Sequence, residues 1–328
     1  MTNQTKTNLP LYNEDPPESR LPTGKPNISF SELSVWLKCS WQHKLKYIDK
    51  IDADGPTIHT EYGQSIHSAM EWYLANRGQA IDSSVYVKDF KIRCKAILDS
   101  EQSSKMTLDE KLDLVDKMKL FSESMEKMLA YVPGWLDETF PGWEPVAAEQ
   151  ALYEPIIGYD GNPVYFKGFV DCLIRVPKKK KVPARVKKAT DGLHLSDLED
   201  TEPKETNETE PGEWDYIILD WKGTDWGWRA EKKREYEVLV QLHLYKVFFC
   251  TKNNIPLENV KCGFVLLKRT PDKSGSYCEY IPVSVGPKSA EKAMNTVQQM
   301  VNQVIQGRAI KNKFSCKFCK YAYTEHCT

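Results

Sequence analysis

The stretch Tyr216-Ile-Ile-Leu-Asp220-Trp-Lys222-Gly-Thr224 reads as a buried strand that ends in chemistry. Tyr216 to Trp221 is a short apolar run of the strand kind. Alternation along it sets Asp220 and Lys222 on one face and turns Trp221 to the other. A carboxylate beside an ammonium at a strand end suits phosphodiester hydrolysis. The carboxylate anchors a hard divalent cation, while the lysine positions or deprotonates water and offsets charge on the phosphate. The same pair also fits an ordinary ion pair at a strand end, so the neighbouring segments decide between the two.

Upstream, Val146 to Ile157 and Val164 to Val176 carry strand alternation, with Asp160-Gly161 as the hairpin turn between them. Downstream, Glu231 to Cys250 reads as a helix, Cys262 to Leu267 and Tyr280 to Val285 as strands, and Ala290 to Ile305 as a helix stopped by Gly307. The region 28–140 reads as helical. Ser29-Phe-Ser31 caps a helix running toward Cys39, Thr60 to Ala75 carries one apolar stripe, and Thr107-Leu-Asp-Glu110 is a capping box opening a helix to about Tyr131. Helices first, then a strand meander, then helix and strands, predict an α/β fold with a central mixed sheet flanked by helices. The predicted organisation is a disordered leader at 1–27, the helical region 28–140, a core at 141–310 and a cysteine-rich tail at 311–328. A charged insertion, 177–213, interrupts the core; it starts basic and ends acidic, and reads as a solvated loop or as a loop that contacts DNA near the active strand.

Composition narrows the classes. The 328 residues carry a formal net charge of -1, so any nucleic-acid groove is a local basic patch rather than a property of the whole chain. No apolar run approaches the ~20 residues of a membrane span, and the polar, proline-rich start has no secretory core. A cytoplasmic protein is expected. Of the nine cysteines, Cys94, Cys172, Cys250, Cys262 and Cys278 fall in apolar stretches where a buried free thiol is ordinary. Cys316, Cys319 and Cys327 crowd the end of the chain, where an odd total without an export signal favours metal ligation over disulfides.

Further residues add to Asp220 and Lys222. Gly168-Phe-Val-Asp171 puts an acid inside an apolar strand, which is costly unless the acid is paired or bound to metal. Gln241 and Tyr245 share a helix face, and His67 lies one turn inside an amphipathic helix. Each alone fits structural packing. Together, Ser29-Phe-Ser31 with Cys39, Gly63-x-x-x-His67, Gly168-x-x-Asp171, Asp220-x-Lys222-Gly-Thr and Gln241-x-x-x-Tyr245 resemble the RecB-type branch of the PD-(D/E)XK nucleases, which includes Cas4 proteins and many phage exonucleases. That resemblance implies a restriction-endonuclease-like sheet and one or two Mg²⁺ or Mn²⁺ ions held by His67, Asp171, Asp220 and the Trp221 carbonyl. It implies that Lys222 assists the attacking water and that Gln241 and Tyr245 orient the lysine or contact DNA. Glu149 is a weaker candidate, outside the direct ligands.

The same resemblance implies an iron–sulfur staple, with Cys39, Cys316, Cys319 and Cys327 holding a [4Fe–4S] cluster that pins the tail to the first helix. Seven residues separate Cys319 from Cys327, where relatives commonly have five. Zinc on four thiolates, or with His326 in place of one, is the alternative. Trp226, Trp228, Arg229, Lys232 and Lys233 follow the active strand and read either as a DNA-contacting mouth or as a packed lid. The function expected is a DNA exonuclease acting at strand ends in recombination, repair or phage replication, with recombination or replication proteins as partners. The alternative is a non-catalytic DNA-binding or assembly subunit that keeps the fold. Digestion polarity, strand preference and oligomeric state are not written in the sequence.

Overall fold

Strand pairing organises the chain around one mixed sheet in the order β1 (Asn27–Ser29), β3 (Pro163–Pro177), β4 (Trp214–Thr224), β5 (Val260–Lys268) and β6 (Cys278–Val283), with β2 (Glu144–Ile157) pairing the other edge of β3. The computed structural model describes residues 21–51, 55–104, 106–178 and 214–327. Residues 1–20 of the expected leader 1–27 and nearly all of the charged insertion lie outside the described residues; at the leader's end Leu21 and Thr23 are buried and Asn27 opens a strand.

The short strand β1 (Asn27–Ser29) runs into α1 (Phe30–Lys38), whose N-cap Ser29 accepts from the Glu32 amide. A brief helix α2 (Ser40–His43) follows and continues as a π-helical turn, Lys44–Ile48. The helical region then holds α3 (Ile58–Ala75), α4 (Ser83–Leu98), α5 (Glu101–Ser104) and α6 (Leu108–Thr139). The expected capping box is present at Thr107 and Glu110. The helix it opens is longer than expected, passing Pro133 and ending at Thr139 rather than near Tyr131. Proline costs a helix one amide hydrogen bond; burial of Val132 and Leu136 on either side of it keeps the helix packed against the core.

The hairpin of β2 (Glu144–Ile157) and β3 (Pro163–Pro177) turns through Gly158 to Asn162, with the Gly158 amide donating to the Asn162 carbonyl at 2.8 Å. β4 (Trp214–Thr224) runs antiparallel to β3 and parallel to β5 (Val260–Lys268). β6 (Cys278–Val283) closes the far edge. Between β4 and β5, α7 (Tyr236–Asn253) starts later than expected, because residues 232–234 form a separate 3-10 turn and Glu235 is extended. It ends on Asn254 in the left-handed region, a common helix stop. The last long helix is α8 (Pro287–Ile305), which carries proline in its first turn.

Two apolar clusters cover the two faces of the sheet. One joins Ile218, Phe264 and Leu266 to α7 and α8, and the other joins Ile217, Leu219, Trp221 and Val265 to α3, α4 and α6. Consecutive residues of β4 thus point to opposite clusters, as strand alternation requires. Cys94, Cys172, Cys250, Cys262 and Cys278 are buried free thiols. Among the described residues no helix is long and apolar enough to cross a membrane.

Candidate active site

The site lies where the sheet forks. On one edge of β3, residues 165–167 pair with β1 and residues 172–177 pair with β4. The four residues between, Gly168-Phe-Val-Asp171, pair with neither. Pairing between β3 and β4 ends at Cys172 opposite Leu219, so Asp171 and Asp220 occupy the next position on each strand. There the Trp221 amide donates to Asp171 Oδ2 at 2.9 Å instead of to a strand carbonyl. The fork opens between two carboxylates.

Asp220 is 1% exposed and its oxygens lie 2.6 Å from Lys222 Nζ at the nearest approach. Apart from that ammonium, neither oxygen has a hydrogen-bond donor among the described residues. A buried carboxylate so placed is expensive unless a cation completes its surroundings. Trp221 turns the other way and is buried beneath α3 and α6. The alternation expected for Asp220, Trp221 and Lys222 is therefore present.

α3 supplies His67. Its Nδ1 lies 3.7 Å from Asp171 Oδ2 and 3.9 Å from Glu149 Oε1. Glu149 reaches the site from β2, where Ala148 faces Cys172 and Gln150 faces Val170, which puts Glu149 opposite Asp171. Its φ is 49°, in the left-handed region that non-glycine residues avoid. The side-chain alternation slips at this point. Val170 packs with α7 and α8, but Cys172, two residues on, packs with the other cluster. His67, Glu149 and Asp171 can each offer a ligand atom within 4.8 Å of the other two, the one such group among the described residues. Glu149 is thus closer to the centre of the site than its weak reading in the sequence implied.

Protonation follows from this crowding. Burial, and then the Asp220 charge, push the Asp171 carboxyl up to about 7. Burial alone would lower His67, but the neighbouring Glu149 carboxylate and the charges of Asp171 and Asp220 outweigh it and raise the imidazole. Lys222 shows the same balance: burial works against its charge, while Asp220 and Asp171 raise it. A set of three acids, one imidazole and one ammonium holds protons where a divalent cation would serve better. The oxygen-rich donor set with orphaned Asp220 oxygens fits such an ion.

Residues 27–186 match the model of the PD-(D/E)XK nuclease superfamily. The mixed sheet flanked by helices is the architecture expected of a PD-(D/E)XK fold. The match includes His67, Glu149 and Asp171 and stops before Asp220 and Lys222, which the fold brings to the same fork. A search of the curated proteins gives no match. The superfamily match implies a metal-dependent nuclease, and the acidic and histidine cluster is a candidate for its metal.

α7 closes the floor of the site. Gln241 and Tyr245 are both buried, and Gln241 Nε2 donates to Tyr245 Oη at 3.3 Å. The Tyr245 ring lies so close to Gly168 that a Cβ there would sit 2.7 Å from Tyr245 Cε1. Gly168 is needed for this approach rather than for a turn. Burial, and then the Asp220 charge, hold the Tyr245 hydroxyl protonated well above its usual range.

The residues after the strand divide. Trp226 is 76% exposed, and Arg229 and Lys232 are also exposed. Trp228 packs on Phe264 with ring centres 5.1 Å apart, and Lys232 Nζ lies 4.7 Å from the Trp228 ring centre. Lys233 pairs with Glu279. Trp228 and Lys233 therefore brace the segment, while Trp226, Arg229 and Lys232 face solvent.

Far from the fork, Cys39, Cys316, Cys319 and Cys327 line one cavity of about 100 Å³ between α2 and the tail. Backbone and side-chain bonds hold the tail there: the Trp41 amide donates to the Ile310 carbonyl, Trp41 Nε1 to the His326 carbonyl, and Asn312 Nδ2 to the Lys38 carbonyl. The Asn312 amide also donates to Cys39 Sγ at 3.3 Å.

Proposed function

We propose that this chain is a metal-dependent DNA exonuclease of the RecB-like and Cas4-like type, working at DNA ends in recombination, repair or phage replication. The observation that carries the reading is the fork itself, where Asp171 and Asp220 meet and Lys222 stands 2.6 Å from Asp220. His67, Asp171, Asp220 and the Trp221 carbonyl would hold Mg²⁺ or Mn²⁺, with Glu149 as a further ligand, and the imidazole favours Mn²⁺. The ion would supply an activated water and an electrophilic partner for the phosphate. Lys222, kept protonated by Asp220 and Asp171, offsets charge on the phosphate as the water oxygen bonds to phosphorus and the P–O ester bond breaks. Tyr245 and Gln241 hold the Gly168 edge and so fix where Asp171 stands. Exposed Trp226, Arg229 and Lys232 are suited to holding the strand.

The test is digestion of end-labelled linear DNA and of closed circular DNA with Mg²⁺ and with Mn²⁺. Mononucleotides or short oligonucleotides released from linear DNA, with circles left intact, are expected. Cleavage of circles at an equal rate would replace exonuclease with endonuclease. No cleavage of either in both metals would overturn the catalytic reading.

The cysteine cavity is proposed to hold a [4Fe–4S] cluster that staples the tail to α1 and α2. The four cysteines line one cavity between α2 and the tail, and four thiolates suit such a cluster. Brown protein with broad absorption near ~400 nm is expected. Colourless protein with one zinc per chain would overturn the cluster and keep the staple.

A further inference from the structure

Lys222 is held by a second set of contacts that lies outside the acid cluster. Asp220 stands opposite Phe264 in the register of β4 and β5, so the two side chains share a face of the sheet. Lys222, two residues on, shares that face and carries its ammonium to both of them. Its Nζ is 2.6 Å from Asp220 Oδ2 and 5.9 Å from the Phe264 ring centre. Phe264 is fully buried, and Trp228 packs on it with ring centres 5.1 Å apart. Lys232 Nζ lies in turn 4.7 Å from the Trp228 ring centre. The segment that delivers Trp228 is pinned on both sides. Before it, Arg269 Nε donates to Asp225 Oδ1 at 2.8 Å, the Thr270 amide to the Asp225 carbonyl at 2.8 Å, and Thr224 Oγ1 to the Gly227 carbonyl at 3.3 Å. Gly227 takes φ 116°, which side chains avoid, one residue before Trp228. After it, Lys233 pairs with Glu279, which stands in the same cross-strand row as Lys222 with Leu266 between them.

We infer that Trp228 is a positioning residue for the phosphodiester cleavage proposed above: it holds the Phe264 ring against Lys222 and so fixes the ammonium at Asp220. The inference rests on the nuclease reading for the reaction that it serves. A lysine head rides on a flexible stem, and Asp220 restrains only the head. The Phe264 ring closes one side on which the stem would otherwise swing, attracts the ammonium at this distance, and keeps water from that side of the ion pair, which strengthens it. Phe264 can do this only while its own place is fixed, and Trp228 fixes it from the pinned segment. Trp228 is two contacts away from Asp220, so it acts on where the lysine stands rather than on the phosphate. Its ring is already engaged by Phe264 and Lys232, whereas Trp226, two residues earlier, is 76% exposed. The two tryptophans thus divide the work, one turned to solvent and one to the active lysine.

The test makes two measurements on the full chain. The first, without metal or DNA, follows the Lys222 side-chain signal in protein labelled with ¹³C at the lysine ε-carbon, assigned by its loss in Lys222→Arg. The Phe264 ring is expected to displace this signal from those of the exposed lysines. Trp228→Ala should move it back toward them, and Trp228→Phe should restore it. The second measures degradation of linear DNA in Mn²⁺. There Trp228→Ala is expected to lower kcat about tenfold at an unchanged KM, and Trp228→Phe to recover most of the loss. If Trp228→Ala melts below the assay temperature, Trp228→Leu takes its place with the same expectations. A Lys222 signal that ignores Trp228, or an unchanged kcat, would overturn the inference; a raised KM beside that unchanged kcat would make Trp228 a DNA contact instead. If the signal moves as expected but wild type cuts no DNA in Mg²⁺ or Mn²⁺, the placement of Lys222 by Trp228 stands and the nuclease reading falls. If DNA is cut while the signal ignores Trp228, the reverse holds.

Discussion

The Trp221 backbone amide donates to Asp171 Oδ2 at 2.9 Å, at the first position where β3 and β4 no longer pair as strands. This bond locks the acid of one strand to the backbone beside the acid of the next. It also keeps Asp171 beside Asp220; burial, and then the Asp220 charge, are why Asp171 holds its proton to about pH 7. A divalent cation would relieve both.

That relief has a pH signature. Asp171 sits near 7 when folded against an ordinary 3.8, and His67 is raised from 6.5. Both groups bind protons more tightly in the folded chain than in the unfolded one. The metal-free protein therefore loses stability as pH climbs from about 4 through 7 and beyond. Cations displace those protons, so the melting-temperature gain on adding Mn²⁺ should grow between about pH 5.5 and about pH 8. Thermal melts with and without Mn²⁺ across that range check it, and a gain that is flat or shrinks with pH would contradict it.

Glu149 holds φ at 49° in the middle of β2. A glycine adopts that conformation without steric cost, while a side chain there stores on the order of 1 kcal/mol or more. Glu149→Gly should hold or raise the melting temperature of the metal-free protein, by up to about 1 kcal/mol in stability. It should also weaken Mn²⁺ binding in titration calorimetry. A variant that is destabilised and yet binds Mn²⁺ normally would show that Glu149 serves the fold rather than the metal.

Gly168→Ala drives a methyl against the Tyr245 ring, 2.7 Å from its nearest carbon. Overpacking of this kind costs about 1–3 kcal/mol. In a Tyr245→Leu background the same substitution should cost clearly less, because the ring is gone. A double-mutant cycle in chemical denaturation measures the difference, and additive costs would mean that the contact is relaxed in solution.

Much of this architecture was legible in the residues. The apolar run at Tyr216 to Trp221 and its polar end are local patterns, and the fork reads them as predicted. Hydrophobic period also gave the sheet and its flanking helices, since burial on both faces leaves a mark on every third, fourth or second residue. The rank of Glu149 was not legible, because it depends on hairpin register and on a backbone angle that no single residue announces. The loop from Gly158 to Asn162 sets that register, and Asp160-Gly161 marked the turn without fixing its length. Trp228 and Trp226 look alike in sequence; only packing on Phe264 separates the brace from the exposed ring. The helix expected to end near Tyr131 runs on past Pro133, because burial of Val132 and Leu136 on either side overrides the local cost of proline, a tertiary matter.

We propose Asp220 and Lys222 as the working pair of a metal-dependent nuclease. The rate at which end-labelled linear DNA is degraded in Mn²⁺ by wild type, Asp220→Ala and Lys222→Ala, each shown to be folded by its melting transition, measures this. Losing even a supporting group around a metal commonly costs 10–100-fold, so both variants should fall by more than about 100-fold. Degradation by either variant at close to the wild-type rate would contradict the account.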